Sequence, residues 1–252
     1  MEFLLQIIQE VISFLLLRGN AISYALVNVG EITSEAILPT DKKGEDELNT
    51  YSELESSSSF RVVVSPELYS GILIEQLKSK KIENIINKNS EIVIYPYANG
   101  NEMLKNISKT KIVDNCYSVS NNKNLSIITL NIANGGLRLS DSSQWFSLQK
   151  DIKNGNKNIL LVLNGNLDDF TDADEKQLFI DVLCQLKRNT GKNIWVIQQG
   201  DFTEYSMKRG IKYISIASSK FDDVSSEDIE SKKYIMITIN NDKMTYEIKK
   251  VF

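Results

Sequence analysis

Histidine is absent from this chain of 252 residues. That absence excludes Ser-His-Asp and Cys-His nucleophilic catalysis, imidazole-ligated zinc or iron, and acid–base chemistry on imidazole. Cysteine is scarce: Cys116 and Cys184 are the only two, too few for a four-thiolate metal site. Whether they pair is open on sequence alone. Cys184, on the helix face opposite the main apolar stripe and with no base beside it, reads as a half-buried free thiol ahead of a disulfide or a nucleophile. Three prolines and twelve glycines argue against a fibrous or disordered chain. Positive charge is not in excess, since the formal net charge is −4 and the isoelectric point about 5.2, so no nucleic-acid partner is expected. A clean membrane-length apolar run is also missing. Met1 to Leu17 is apolar but carries Gln6, Gln9 and Glu10, which makes it short and polar for a span. It opens with an acid and has no small-residue cleavage pattern after it, unlike a secretory signal. An amphipathic helix is the default reading, with contact to a membrane surface or an oligomer partner as its use and an unusual export signal as the alternative; localisation stays open.

What is present fits one large α/β domain with an appendage: 42% of residues are hydrophobic and 25% charged. Residues 1–59 read as an apolar helix, a strand over Ala21 to Val29, and a charged then serine-rich linker from Asp41 to Ser59. Residues 60–252 read as the main domain. Its centre is Asn158 to Tyr205, which spells strand, helix, strand. Ile159 to Leu163 and Ile194 to Ile197 are unbroken apolar runs, as expected of strands covered on both faces. Between them Leu178, Phe179, Val182, Leu183 and Leu186 fall on one helical face. Thr171 is the expected N-cap, with Asp174 three residues on; Lys187, Arg188 and Gly191 close the helix.

Around this unit, Phe60 to Val64 and Glu91 to Tyr95 read as strands. A helix opening at Pro66-Glu67 carries Leu68, Ile72, Leu77 and Ile82 on towards Ile86, and a short helix is expected at Asn101 to Ile107. Lys111 to Ser120 and Leu125 to Ile132 read as an antiparallel pair. Gly135-Gly136 makes a turn, and Asp141 or Ser142 caps a helix bearing Trp145, Leu148 and Ile152. Lys212 to Ala217, Tyr234 to Ile239 and Lys243 to Val251 are strands, the last two a hairpin around Asn240-Asn241-Asp242. Strand–helix alternation followed by an antiparallel tail predicts a layered α/β/β/α sandwich with mixed sheets.

Several stretches in this order are similar to one known family. Cys116-Tyr117-Ser118-Val119 followed by Leu125 to Asn131 resembles its central hairpin, and Ser143-Gln144-Trp145 the helix start after it. Trp195 to Asp201, the Gly210-Ile211-Lys212-Tyr213 turn and the final hairpin match its closing section. From Phe60 onward the chain resembles a calcineurin-like metallophosphoesterase domain, in particular the divergent bacterial form found with phosphodiester glycosidase modules, a resemblance that allows export or the cell envelope. Members hold two metal ions with Asp, His and Asn side chains after the strands. Here each motif is changed. Where the family has Asp-x-His, this sequence has Ser65-Pro66-Glu67; where it has Gly-Asp, Pro96-Tyr97-Ala98. No Gly-Asn-His-Asp lies between Asn99 and Asn115, Asn164 replaces a metal-binding histidine, and Gly-His-x-His has become Gly200-Asp201-Phe202-Thr203. The resemblance therefore implies a non-catalytic domain with a binding or structural role, no catalytic residue and no cofactor.

Two alternatives stay beside that reading. The oxygens of Glu67, Asn164, Asp168, Asp169, Asp201 and Glu204 suit Mn²⁺ or Mg²⁺, and a phosphoesterase with an all-oxygen site would rest on Glu67, Asn164, Asp168 and Asp201. Against it, Asp168 and Asp169 precede a helix and can satisfy its free N–H groups. The third reading is a carbohydrate-binding surface using Tyr95, Tyr97, Trp145 and Tyr205. Arg138, after Gly135-Gly136, is a candidate anion contact, and the Ser142, Ser143 and Lys150 spacing fits no Ser-Lys motif. The partner is unknown from the sequence, with a protein and a glycan both left open.

Overall fold

Apolar runs too long for one-sided strands require two layers of cover, and the chain supplies them as two stacked sheets. A computed structural model describes residues 59–68, 73–97, 104–112, 116–217 and 233–251, all within the compact unit Glu55–Phe252. The N-terminal helix, the Ala21 to Val29 strand and the linker up to residue 58 lie outside the described residues, as does Ile72.

Five strands form the first sheet: β1 (Phe60–Val64), β2 (Ile92–Ile94), β3 (Thr110–Ile112), β10 (Lys233–Asn240) and β11 (Lys243–Lys250), in the order β11-β10-β1-β2-β3. β1, β2 and β3 run parallel, while β10 is antiparallel to both β1 and β11. The second sheet holds β4 (Ser118–Asn122), β5 (Leu125–Leu130), β6 (Asn158–Leu163), β7 (Asn193–Gly200), β8 (Glu204–Lys208) and β9 (Ile211–Ala217), ordered β4-β5-β6-β7-β9-β8. Its four central strands are parallel and its two edge strands antiparallel. Among the described residues the α-helices are α1 (Leu73–Asn89), α2 (Leu137–Asp141), α3 (Gln144–Asn154) and α4 (Ala173–Thr190).

The strand period of two sorts side chains into two cores. Leu160 and Val162 of β6, Trp195 and Ile197 of β7, and Ile214 and Ile216 of β9 join the first sheet, together with Ile82 and Ile86 of α1. Ile159, Leu161, Leu163, Ile194, Val196, Ile211 and Tyr213 point the other way, onto Trp145, Leu148 and Ile152 of α3 and Phe179, Leu183 and Leu186 of α4. The layers are therefore α/β/β/α with mixed sheets and a C-terminal antiparallel hairpin. Each fully buried Leu, Ile or Phe adds about 1.5–3 kcal/mol.

Several local expectations change. α1 begins at Leu73, not at Pro66, and Leu77 is 55% exposed; the solvent side of a helix takes an occasional leucine without cost. Of the short helix expected at Asn101 to Ile107, residues 101–103 lie outside the described residues, and Leu104 to Asn106 is a turn. Lys111 to Ser120 is not one strand, because β3 pairs with β2 in the first sheet and β4 with β5 in the second. β8 is a strand in a stretch to which the sequence pattern assigns no element. The cap of α4 is Asp172, whose side chain accepts from the N–H groups of Asp174 and Glu175; Thr171 instead donates its hydroxyl to the Gly135 carbonyl at 3.1 Å. Cys184 is buried in the helix-side core, and both thiols are free. Gly191, at φ 63°, closes α4 as expected. No helix among the described residues is long and apolar enough to cross a membrane.

Candidate functional site at the strand ends

Parallel strands point their carboxyl ends at one rim, where α/β proteins place their chemistry. In this chain that rim is occupied by side-chain amides bonded to one another and to backbone. Asn164, just past β6, accepts from the Ile132 N–H at 2.8 Å and donates to Asn131 Oδ1 at 2.9 Å. Asn131, past β5, also accepts from the Ala133 N–H at 3.0 Å. Its own backbone N–H and C=O are both held by the buried side chain of Gln144, at 2.8 and 2.9 Å. Gln199, at the end of β7, donates to the carbonyls of Pro96 at 2.6 Å and Asn164 at 3.1 Å. Its neighbour Gln198 donates to Ser215 Oγ at 3.0 Å and accepts from the Leu167 N–H at 3.3 Å. The Asn166 side chain reaches the Gln199 carbonyl at 2.7 Å. These amides staple the loops after β2, β5, β6 and β7 to each other.

The predicted acids do not gather there. Asp168 makes an ion pair with Lys176, and that hydrogen bond is the main cause holding its carboxyl below the usual range, with Lys208 adding a smaller pull. Its backbone N–H is taken by Asn166 Oδ1 at 2.9 Å. Asp169 closes the other half of a capping box, accepting from the Asn166 N–H at 2.6 Å. Glu67 is half-buried beyond β1, while Asp201 and Glu204 are exposed. Ser143 donates its hydroxyl to Asp141 Oδ1 at 2.7 Å.

The aromatic set is likewise dispersed. Tyr97 is 4% exposed and donates to the carbonyls of Ile216 and Ala217 at 3.0 and 2.8 Å. Tyr95, edge-on to Tyr97 at 5.1 Å, accepts from the Leu68 N–H at 3.1 Å. Trp145 lies in the core on the opposite side of the second sheet, donating to Glu175 Oε1 at 3.1 Å. Only Tyr205 of the four is exposed. Arg138, in α2, forms an ion pair with Asp172 at 3.1 Å, and its backbone N–H is held by Glu175 Oε1 at 2.7 Å.

A two-metal centre needs a bridging carboxylate and several free donors converging within about 2–2.5 Å of each ion. The described residues do not fit it. The Asn164 and Asp169 oxygens already accept from backbone N–H groups, Asp168 is committed to Lys176, and among the described residues no three of His, Cys, Asp and Glu cluster in a way that could hold a metal. Sequence reasoning named Asn164 but missed Asn131, Gln144, Asn166, Gln198 and Gln199. The available signal was amides at the ends of apolar strand runs, where water-exposed loops have no need of them.

The sequence matches no family model, and no curated protein matches it. Its fold, however, is similar to solved structures. A dimetal phosphatase from Danio rerio superposes with a TM-score of 0.56 at 8% identity, over 77% of this chain and 96% of that one. GAP50, described as the anchor in the inner membrane complex of Plasmodium, gives a TM-score of 0.51 at 8% identity, over 77% of this chain and 85% of its own. At that identity the likeness is one of fold: the domain has the calcineurin-like metallophosphoesterase fold.

Proposed function

We propose that the domain is a metallophosphoesterase scaffold that works without a metal centre, as a binding or structural module. The observation carrying this reading is the stapled rim: oxygens that a metal site would require are spent on N–H groups of the same chain. An amide can accept and donate at once, so Asn and Gln satisfy neighbouring loops without the charge repulsion that clustered carboxylates bring in the absence of a cation. That the same fold occurs in a protein described as an anchor and in one described as a phosphatase is consistent with a scaffold usable for either purpose.

The test is purification without chelator from medium supplemented with Mn, Fe and Zn, followed by metal analysis and a thermal scan with millimolar Mn²⁺ or Mg²⁺. A bound ion at 100 times its dissociation constant would add about 2.7 kcal/mol, a shift that is easily seen. The expected result is no stoichiometric metal, no upshift, and no hydrolysis of p-nitrophenyl phosphate or its bis-ester. Metal-dependent turnover lost in Asp201→Ala would replace this reading with an all-oxygen phosphoesterase.

A further inference from the structure

The edges of the two sheets differ in how they treat a second chain. An edge strand offers a row of unpaired N–H and C=O groups, and soluble proteins blunt it with charge or brevity. β3 is three residues long. β11 is protected by lysine. Two copies paired antiparallel about the middle of Lys243–Lys250 would set Lys243 against Lys250 and Tyr246 against Glu247. β4, with sequence SVSNN, has no charge to direct a partner.

β8 is longer than β3, and its two charges are of opposite sign. Its sequence is EYSMK and all five residues are exposed. Tyr205 faces the first sheet, its ring 5.2 Å from that of Tyr246 on β11, and the strand period puts Met207 on the same face. Glu204, Ser206 and Lys208 face the helix side, where the Lys208 ammonium lies 5.7 Å from the ring centroid of Tyr213. Tyr205 and Met207 are 41% and 57% exposed, and Ile248, on the same face of β11 as Tyr246, is 37% exposed.

We propose that a second copy of this chain occupies the β8 edge. Antiparallel pairing with a two-fold axis through Ser206 sets Glu204 opposite Lys208 of the other copy at both ends, and Tyr205 opposite Met207 between them. Charge meets opposite charge, and apolar meets apolar on a single face. The axis stands perpendicular to the sheet, so each face of one copy continues into the like face of the other. Sheet order then runs β4 to β8 in one protomer and β8 to β4 in its partner, twelve strands from six on each side. The contact is isologous, so it closes at two and does not propagate into a filament. Cross-strand pairs of opposite charge and of aromatic with aliphatic groups are the stabilising unit of such a ladder.

Sedimentation of the full chain over a range of micromolar concentrations tests this. The expected result is a reversible dimer. E204K and K208E each place two like-charged pairs across the axis, so each raises the dissociation constant by about tenfold or more. E204K combined with K208E restores both pairs in swapped order, and the affinity returns. Amide exchange at Tyr205 to Met207 slows as concentration rises. Thermal midpoints measured beside these experiments separate loss of pairing from loss of fold. A monomer at all concentrations overturns the proposal; so does a dimer indifferent to the single reversals, or one whose β8 amides exchange at a rate independent of concentration.

Discussion

Asn164 shows what a single side chain contributes at the rim. Its amide serves a backbone N–H and a second amide at once, so Asn164→Ala leaves the Ile132 N–H without its acceptor and Asn131 Oδ1 with the Ala133 N–H as its remaining donor, at a cost of about 1–3 kcal/mol. Chemical denaturation should show that loss with an unchanged slope. Two phenols set the alkaline limit. Burial raises Tyr213 above the ordinary tyrosine value, and its hydroxyl has no partner among the described residues. Burial also raises Tyr117, with the Asp151 carboxylate, at 2.7 Å, adding to it. An unfolded phenol releases its proton near pH 10 while these folded ones retain theirs. Their contribution to stability is therefore complete below about pH 10 and declines above it. Tyr213→Phe is expected to leave neutral-pH stability unchanged or higher by up to about 1 kcal/mol, and to reduce the alkaline loss to the part set by Tyr117. Denaturation midpoints at pH 7 and pH 11 check both statements. At this scale the sequence was legible by subtraction: zero histidine excluded imidazole chemistry, but nothing in one chain announces that Gln144 will reach Asn131, because that contact joins residues on separate elements.

Elements were legible where burial imposed a pattern. β6 and β7, covered on both faces, appear as unbroken apolar runs, and α4 carries its stripe, its basic last turn and its terminal glycine in plain order. β8 was invisible for the converse reason: with all five residues exposed, no alternation is required of it, and only hydrogen bonding to β9 makes it a strand. The Lys111 to Ser120 stretch failed differently, since local pattern does not say that a chain leaves one sheet and enters another. The cap of α4 was read one residue early, and the two candidates separate experimentally. Asp172→Ala removes the acceptor for two N–H groups of the first turn and one ion pair with Arg138, so it should cost about 1–2 kcal/mol. Thr171→Ala loses one hydroxyl bond to Gly135 and should cost about 1 kcal/mol or less. Thermal melts of the two variants side by side give the order.

For the whole molecule, the layered class followed from strand–helix alternation and the antiparallel tail, while the assignment of strands to sheets did not, because it depends on pairings far apart in sequence. One such pairing sets the order in which the domain can be completed. β1 lies between β2 and β10, and its register with β10 joins Phe60 to Ile239 and Val64 to Ile235. The second sheet holds all its strands once Ala217 has been made, but the first still lacks the strand that seals one side of its earliest segment. On the ribosome, Val62, Val63 and Val64 therefore wait for their partners Ile237, Met236 and Ile235, which are made much later. The domain belongs among chains whose slow step is a late closure between distant segments, and during synthesis its first strand is the segment that most needs a chaperone's cover.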